Sequence, residues 1–273
     1  MILVTGATGN VGREIVKKLN DDGYQVRILT RNPAKVSFPA NIEVAVGDLT
    51  DSENLKATLK GIEKVFLIRV PGSDNFPRIA KASGVKTIVF LSSGAIESKA
   101  ENFIGQIHLH TEELIRKSDV KWTFLRPGAF MSNTLQWARS IKTENIVRAP
   151  FGDVGTAPID PRDVALVAAK VLVSSDHNGK IYTLTGPEVL TPTEQVKILG
   201  AVLEKEIRFE NVPDTAAEMN MKKFAPPEIV DALFTLMKDQ RNHPAVVSNT
   251  VKHVTGNPAH TFKDWATDNA NLF

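Results

Sequence analysis

Residues 2–19 read Ile2-Leu3-Val4-Thr5-Gly6-Ala7-Thr8-Gly9-Asn10-Val11-Gly12-Arg13-Glu14-Ile15-Val16-Lys17-Lys18-Leu19. Two hydrophobic periods meet there. Ile2–Thr5 is short, continuous and mostly branched, the pattern of a strand covered on both faces. From Val11 onward, Val11, Ile15, Val16 and Leu19 share one helical face, while Arg13, Lys17 and Lys18 lie off it. Gly6, Gly9 and Gly12 occupy the join. A strand, a glycine turn and a helix in that order leave N–H groups exposed at the helix start, where the dipole favours negative charge.

Outward from this stretch the same alternation recurs as far as residue 126. Strand-like runs occur at Gln25–Leu29, Ile42–Val46, Lys64–Ile68, Thr87–Leu91 and Trp122–Leu125. Helical faces lie between them: Leu55, Leu59 and Ile62 after a cap at Asp51 or Ser52, then Ile79, Ala80 and Ala82, then Leu114 and Ile115. Strands alternating with helices predict a parallel sheet with helices on both faces. Right-handed crossovers make this an α/β, doubly wound Rossmann fold.

Beyond Pro127-Gly128 the alternation loosens. A helix is expected over Phe130–Arg139, another carrying Val164, Val167, Ala168 and Val171, and a strand at Ile181–Leu184. Thr191-Pro192-Thr193-Glu194 has the form of a capping box with proline at the first helical position, and Thr261-Phe262-Lys263-Asp264 is a weaker version. The expected division is a Rossmann domain over 1–155. Residues 156–273 would then supply returning core elements and a smaller, mainly helical substrate-side lobe over 185–258.

Composition narrows the function classes. Among 273 residues, 33 basic side chains oppose 31 acidic ones, a net charge of +2 that gives no general field for nucleic acid. There is no cysteine, which removes disulfides, thiolate metal sites and a cysteine nucleophile. The first apolar run ends at Gly6, short of the roughly 7–15 residues of a secretory core. No run of about 18 apolar residues suggests a membrane span. A soluble cytoplasmic protein acting on a small molecule, with no nucleic-acid or membrane partner, is expected. The sequence says little about oligomeric state.

The glycine turn has the chemistry of a dinucleotide site. Gly6 would allow the sharp exit from the strand, Gly9 the approach of a pyrophosphate, and Gly12 close seating of the helix. Thr8, Asn10 and Val11 complete the turn. An NAD site usually carries an acid at the end of the second strand. Here Val26-Arg27-Ile28-Leu29-Thr30-Arg31-Asn32-Pro33-Ala34-Lys35 has none, and offers Arg31 and Lys35 instead. A guanidinium suits a ribose 2′-phosphate, so NADPH (NADP) is expected over NAD.

The spacing Gly-x-x-Gly-x-x-Gly in Val4–Gly12 resembles that of extended and atypical short-chain dehydrogenase/reductases. Val46-Gly47-Asp48-Leu49-Thr50-Asp51, Leu91-Ser92-Ser93-Gly94-Ala95, His108-Leu109-His110-Thr111-Glu112-Glu113 and Leu125-Arg126-Pro127-Gly128-Ala129-Phe130 resemble the NmrA-like group more narrowly. The likeness covers about residues 1–175. It implies an NAD(P)-binding Rossmann protein in which Asp48 and Leu49 line the adenine pocket; Asp48 is otherwise a helix cap or a loop carboxylate.

The catalytic couple of most such enzymes, Tyr-x-x-x-Lys, is missing. The only tyrosines are Tyr24 and Tyr182, followed four residues on by Ile28 and Gly186. His108 and Glu112 hold that spacing instead. His108 is a candidate proton donor near neutral pH, or a helix cap. Ser92 and Ser93 end a strand where ligands bind in such sheets and are candidates, with Phe130, for the substrate pocket. The histidine spacing suggests no metal site, and there is no Gly-x-Ser-x-Gly elbow. The expected activity is hydride transfer to a quinone-like acceptor, which tolerates a missing tyrosine. The alternatives are an NADP-sensing regulator that binds a partner protein, and, disfavoured by the missing tyrosine, a nucleoside-diphosphate-sugar epimerase.

Overall fold

A computed structural model describes residues 1–35 and 37–273, with the side chain of Lys35 outside the description. Its main sheet joins β1 (Ile2–Thr5), β2 (Val26–Thr30), β3 (Glu43–Val46), β4 (Lys64–Ile68), β5 (Thr87–Leu91), β6 (Lys121–Pro127) and β8 (Lys180–Leu184) in the order β3-β2-β1-β4-β5-β6-β8. Parallel registers such as Ile2↔Val26, Val4↔Phe66 and Phe66↔Val89 define the doubly wound arrangement the sequence predicts. β7 (Ile146–Ala149) and β9 (Arg208–Asn211) form a separate two-stranded parallel ribbon that local patterning did not suggest.

Two compact units share the chain. The first comprises Met1–Ser92, His108–Arg126 and Pro161–Thr183; the second comprises Ser93–Ile107, Pro127–Asp160 and Leu184–Phe273. Their segments alternate along the chain, where the sequence reading places one boundary after residue 155.

In the first unit, α1 (Gly12–Asp21) buries Ile15, Val16 and Leu19, the face expected from its periodicity. It packs on α6 (Pro161–Val173). α2 (Ser52–Thr58) is capped by Asp51, whose carboxylate accepts from the N–H groups of Glu53 and Asn54. It packs on α3 (Phe76–Ala82). One apolar cluster, including Leu3, Leu55, Leu59, Phe76, Phe90 and Phe124, fills this side of the sheet. α4 (Phe103–Arg116) enters the unit from His108 onward.

In the second unit, the helix expected over Phe130–Arg139 is displaced. Phe130 is extended and bridges to Ile159, and Met131 N–H donates to Ile159 O. A 3-10 helix then covers Met131–Trp137 before α5 (Ala138–Glu144). Both expected capping boxes form, Thr191 with Glu194 at α7 (Pro192–Leu203) and Thr261 with Asp264 at the last helix. α8 (Asp214–Met221), α9 (Pro227–Asn242), α10 (Thr250–Thr255) and α11 (Phe262–Asp268) complete the helical part. No helix among the described residues is long and apolar enough to cross a membrane.

Candidate nucleotide-binding cleft

The turn after β1 takes the form its glycines allow. Gly6 has φ +64°, a left-handed conformation costly for other residues, and its carbonyl accepts from Gly9 N–H at 2.9 Å. A Cβ on Gly12 would overlap the Gly6 carbonyl, so α1 sits directly on the turn. Gly9 differs: an added Cβ there meets only the Gly6 oxygen, at 3.3 Å, and the residue is exposed. Internal packing therefore leaves the space over Gly9 open. Val11, at the N-cap position of α1, makes no side-chain cap hydrogen bond, and within the first turn Arg13 N–H donates to Gly9 O at 3.1 Å; a helix N-terminus favours an anion.

Beside the turn opens a cleft of about 580 Å³. Gly6 and Thr8 line it from the turn, Arg31 from beyond β2, Asp48 and Leu49 from beyond β3. Five of the expected cofactor residues thus share one cleft, at the carboxyl ends of parallel strands where ligands of such sheets bind. Gly9, Asn10, Val11 and Gly12 lie on the turn outside its lining; Val11 and Gly12 are buried. Lys35 closes a short 3-10 turn, Pro33–Lys35, and its side chain is outside the described part. The sequence reading missed Thr30 and Asn32, which flank Arg31, and Ile68 at the end of β4 with Val70 just past it. The strand-end rule that selects Arg31 also reaches all four.

Asp48 is a loop carboxylate, and it also lines the cleft. Its Oδ1 accepts from Thr50 N–H at 2.9 Å and from the Thr50 hydroxyl at 2.8 Å. Those bonds, first from the backbone and then from the hydroxyl, hold its carboxyl below the usual range, with Arg31 adding to the effect. Arg31 Nε stands 3.9 Å from Asp48 Oδ2, and its side chain is 82% exposed. A long, solvated ion pair of this kind is weak, so the guanidinium is free to turn to a phosphate.

A polar cluster lies where β5 meets α4. Glu112, fully buried, accepts from Ser92 Oγ at 2.6 Å and from Arg126 Nε at 2.9 Å on one oxygen. Its other oxygen accepts from Arg126 Nη2 at 2.8 Å and Arg116 Nη2 at 3.0 Å. Arg116 also lies over the stacked rings of Trp122 and Phe124. Four donors saturate the carboxylate, so it has the surroundings of a latch and not of a base. Ser92, 4% exposed, commits its hydroxyl hydrogen bond to Glu112. His108, one turn earlier on α4, is half-buried, with its ring 6.3 Å from that of Phe90. Ser93 and Phe130 belong to the second unit. Ser93 Oγ accepts from Ala95 N–H and caps the 3-10 turn Gly94–Glu97, and Phe130 is half-buried. Among the described residues no group of three acidic or histidine side chains is placed to hold a metal.

A sequence profile described as NAD(P)H-binding matches residues 6–175, from the glycine turn into α6. The chain belongs to this NAD(P)H-binding family. Its relatives include the (4-alkanoyl-5-oxo-2,5-dihydrofuran-3-yl)methyl phosphate reductase of Streptomyces griseus, 41% identical over all of this chain and 99% of that protein. The NAD(P)H azoreductase of Xenophilus azovorans is 31% identical over the same shares. Among solved structures, the NADPH complex of quinone oxidoreductase QOR2 from Escherichia coli superposes with a TM-score of 0.83 at 27% identity, covering 98% of this chain and 99% of that one. The resemblance to atypical short-chain dehydrogenase/reductases of the NmrA-like kind holds across these neighbours, and the chain binds NAD(P)H as its family does.

Proposed function

We propose that this protein is an NADPH-dependent reductase of electron-poor conjugated carbonyl compounds, quinones among them. The observation that carries the reading is the saturated Glu112 in a chain without Tyr-x-x-x-Lys: the usual proton-donating couple is replaced by a buried ionic latch. Reduction of an ordinary ketone builds a localised alkoxide that must be protonated or strongly stabilised. A conjugated acceptor spreads the same charge over its π system and collects its proton from water. Two relatives' names fit this class, since quinones and acylated dihydrofuranones are electron-poor conjugated carbonyl compounds, while the azo acceptor of a third is a conjugated N=N group.

The bound dinucleotide supplies the hydride. This chain's residues bind and orient it: Gly6, Thr8, Gly9, Asn10, Val11 and Gly12 around the pyrophosphate, Asp48 and Leu49 at the adenine. Arg31, with Lys35 nearby in sequence, meets the 2′-phosphate and sets the preference for NADPH over NADH. On the sequence pattern, Ser92, Ser93 and Phe130 are assigned to the substrate side and His108 to assisting protonation; the Ser92 hydroxyl is engaged by Glu112. The direct test is absorbance at the nicotinamide band with purified protein, NADPH and a panel of quinones, simple ketones and sugar nucleotides. Oxidation with quinones alone is the expected result. Tight NADPH binding with no oxidation across the quinones would remove the reductase reading in favour of a dinucleotide sensor.

A further inference from the structure

We infer that Asn54 is a positioning residue of the nucleotide cleft, seating the Gly47–Leu49 segment that forms its adenine side. The inference rests on the proposed cofactor site and concerns how that site is held. Asn54 lies in the first turn of α2, outside the cleft lining. Its Nδ2 donates to Val46 O, the last carbonyl of β3, at 3.1 Å. Its Oδ1 accepts from the Thr58 hydroxyl one turn on, at 3.2 Å, which fixes which way the amide faces. Its own N–H is held by the cap, Asp51, at 3.2 Å.

The fit of Asn54 beneath Gly47 is tight. A Cβ on Gly47 would overlap Asn54 Oδ1, and the three nearest atoms it would meet all belong to Asn54. Gly47 has an ordinary backbone conformation, so the missing side chain is explained by this approach and not by φ. Gly47 N–H in turn donates to Thr30 O at 3.0 Å, joining the segment to the end of β2 just before Arg31. The segment is therefore held from α2 on one side and β2 on the other. Asp48 and Leu49 reach the cleft from a backbone that Asn54 locates, and Arg31 stands 3.9 Å from the same Asp48. Losing the amide frees the Val46 carbonyl and opens space under Gly47, so the adenine side drifts while the glycine turn, built from β1 and α1, stays in place.

The test uses 2′,5′-ADP, which carries the adenine and the 2′-phosphate without the nicotinamide. Calorimetry on the full chain should show Asn54→Ala binding 2′,5′-ADP about ten-fold more weakly. The KM for NADPH should rise in parallel, with kcat toward 1,4-benzoquinone at saturating NADPH within two-fold of wild type. Gly47→Ala should weaken 2′,5′-ADP comparably, because its methyl displaces Asn54. The double variant should be no weaker than Asn54→Ala, since the clash goes with the amide; contacting residues couple in this way. Undiminished 2′,5′-ADP affinity in a folded Asn54→Ala, or additive losses in the double variant, would overturn the inference and leave the cofactor site standing. Failure of the wild type to bind 2′,5′-ADP would overturn the site and this inference together.

Discussion

Glu112 and Arg126 meet through two parallel hydrogen bonds, Nε to Oε1 at 2.9 Å and Nη2 to Oε2 at 2.8 Å. Glu112 is fully buried and Arg126 nearly so, with 12% of its side chain exposed. The pair ties α4 to β6, and Ser92 extends the tie to the end of β5. Removing one partner of a buried pair leaves an uncompensated charge, which typically costs about 3–5 kcal/mol. Glu112→Gln should therefore lose stability on that order in denaturant melts while the pH profile of turnover keeps its shape. A general base at this position would produce the reverse: small loss of stability and a flattened profile.

Gly9 gives the most direct prediction about the cofactor. The space over its Cα is open, so Gly9→Asp should fold, and circular dichroism should remain that of the wild type. The new carboxylate would occupy and repel the pyrophosphate position at the start of α1. Fluorescence titration with NADPH should show binding lost. Unchanged affinity would move the dinucleotide elsewhere.

The parts of this architecture that are local in sequence are legible in it. The strand at Ile2–Thr5, the turn, the face of α1 and the box of Thr191 with Glu194 each lie within a few residues, where period and capping chemistry act. The β7–β9 ribbon is not legible, because Ile146 pairs with Arg208 and neither short strand carries a pattern of its own. Phe130–Arg139 misleads for a related reason: the bridge from Phe130 to Ile159 holds the start extended against a helical pattern. At the site, His108 and Glu112 are visible as a spacing, but the four donors that neutralise Glu112 come from Ser92, Arg116 and Arg126 on three different elements. Only the fold brings them together.

Arg31 is the residue proposed to discriminate between the two dinucleotides. Its present partner, Asp48, is 3.9 Å away and the side chain is largely solvated, so little would be lost in turning to a 2′-phosphate. A charge-assisted contact is worth about 1.5–3 kcal/mol. Arg31→Ala should thus remove roughly ten-fold or more of the preference for NADPH over NADH, with NADH affinity little changed. Calorimetry with both dinucleotides measures this; an unaltered ratio would leave Arg31 as surface charge.

Asp239 makes stability in the second unit depend on pH. Its carboxylate accepts from Ser98 Oγ at 2.6 Å, Lys99 N–H at 2.9 Å and His243 Nδ1 at 2.8 Å, joining α9 to the segment after β5. The Ser98 bond foremost, helped by His243 and the backbone, holds the carboxyl below its ordinary range. A depressed carboxyl contributes stability above its unfolded pKa of about 3.9, lost as pH falls through the folded value. Asp239→Asn should be less stable than wild type at pH 7. The gap should close below about pH 4 in denaturant melts taken across that window. A gap that is constant with pH would show that the amide costs packing and not charge.

His108 is the candidate proton donor that the sequence pattern names. It precedes Glu112 by one turn of α4 and is half-buried, and Glu112 is too fully engaged to take its place as a proton carrier. A quinone receives hydride without needing a strong acid, so the protein should reduce quinones and be nearly inert toward simple ketones. General acid help is typically worth about 10²–10⁴-fold where it acts. His108→Phe should slow quinone turnover toward the lower end of that range, because water can still deliver the proton. It should also remove whatever pH dependence of the rate the imidazole supplies. Stopped-flow oxidation of NADPH between pH 5.5 and 8.5, on wild type and the folded variant, reads both effects. Identical profiles would make His108 a packing partner of Phe90 and leave protonation wholly to solvent.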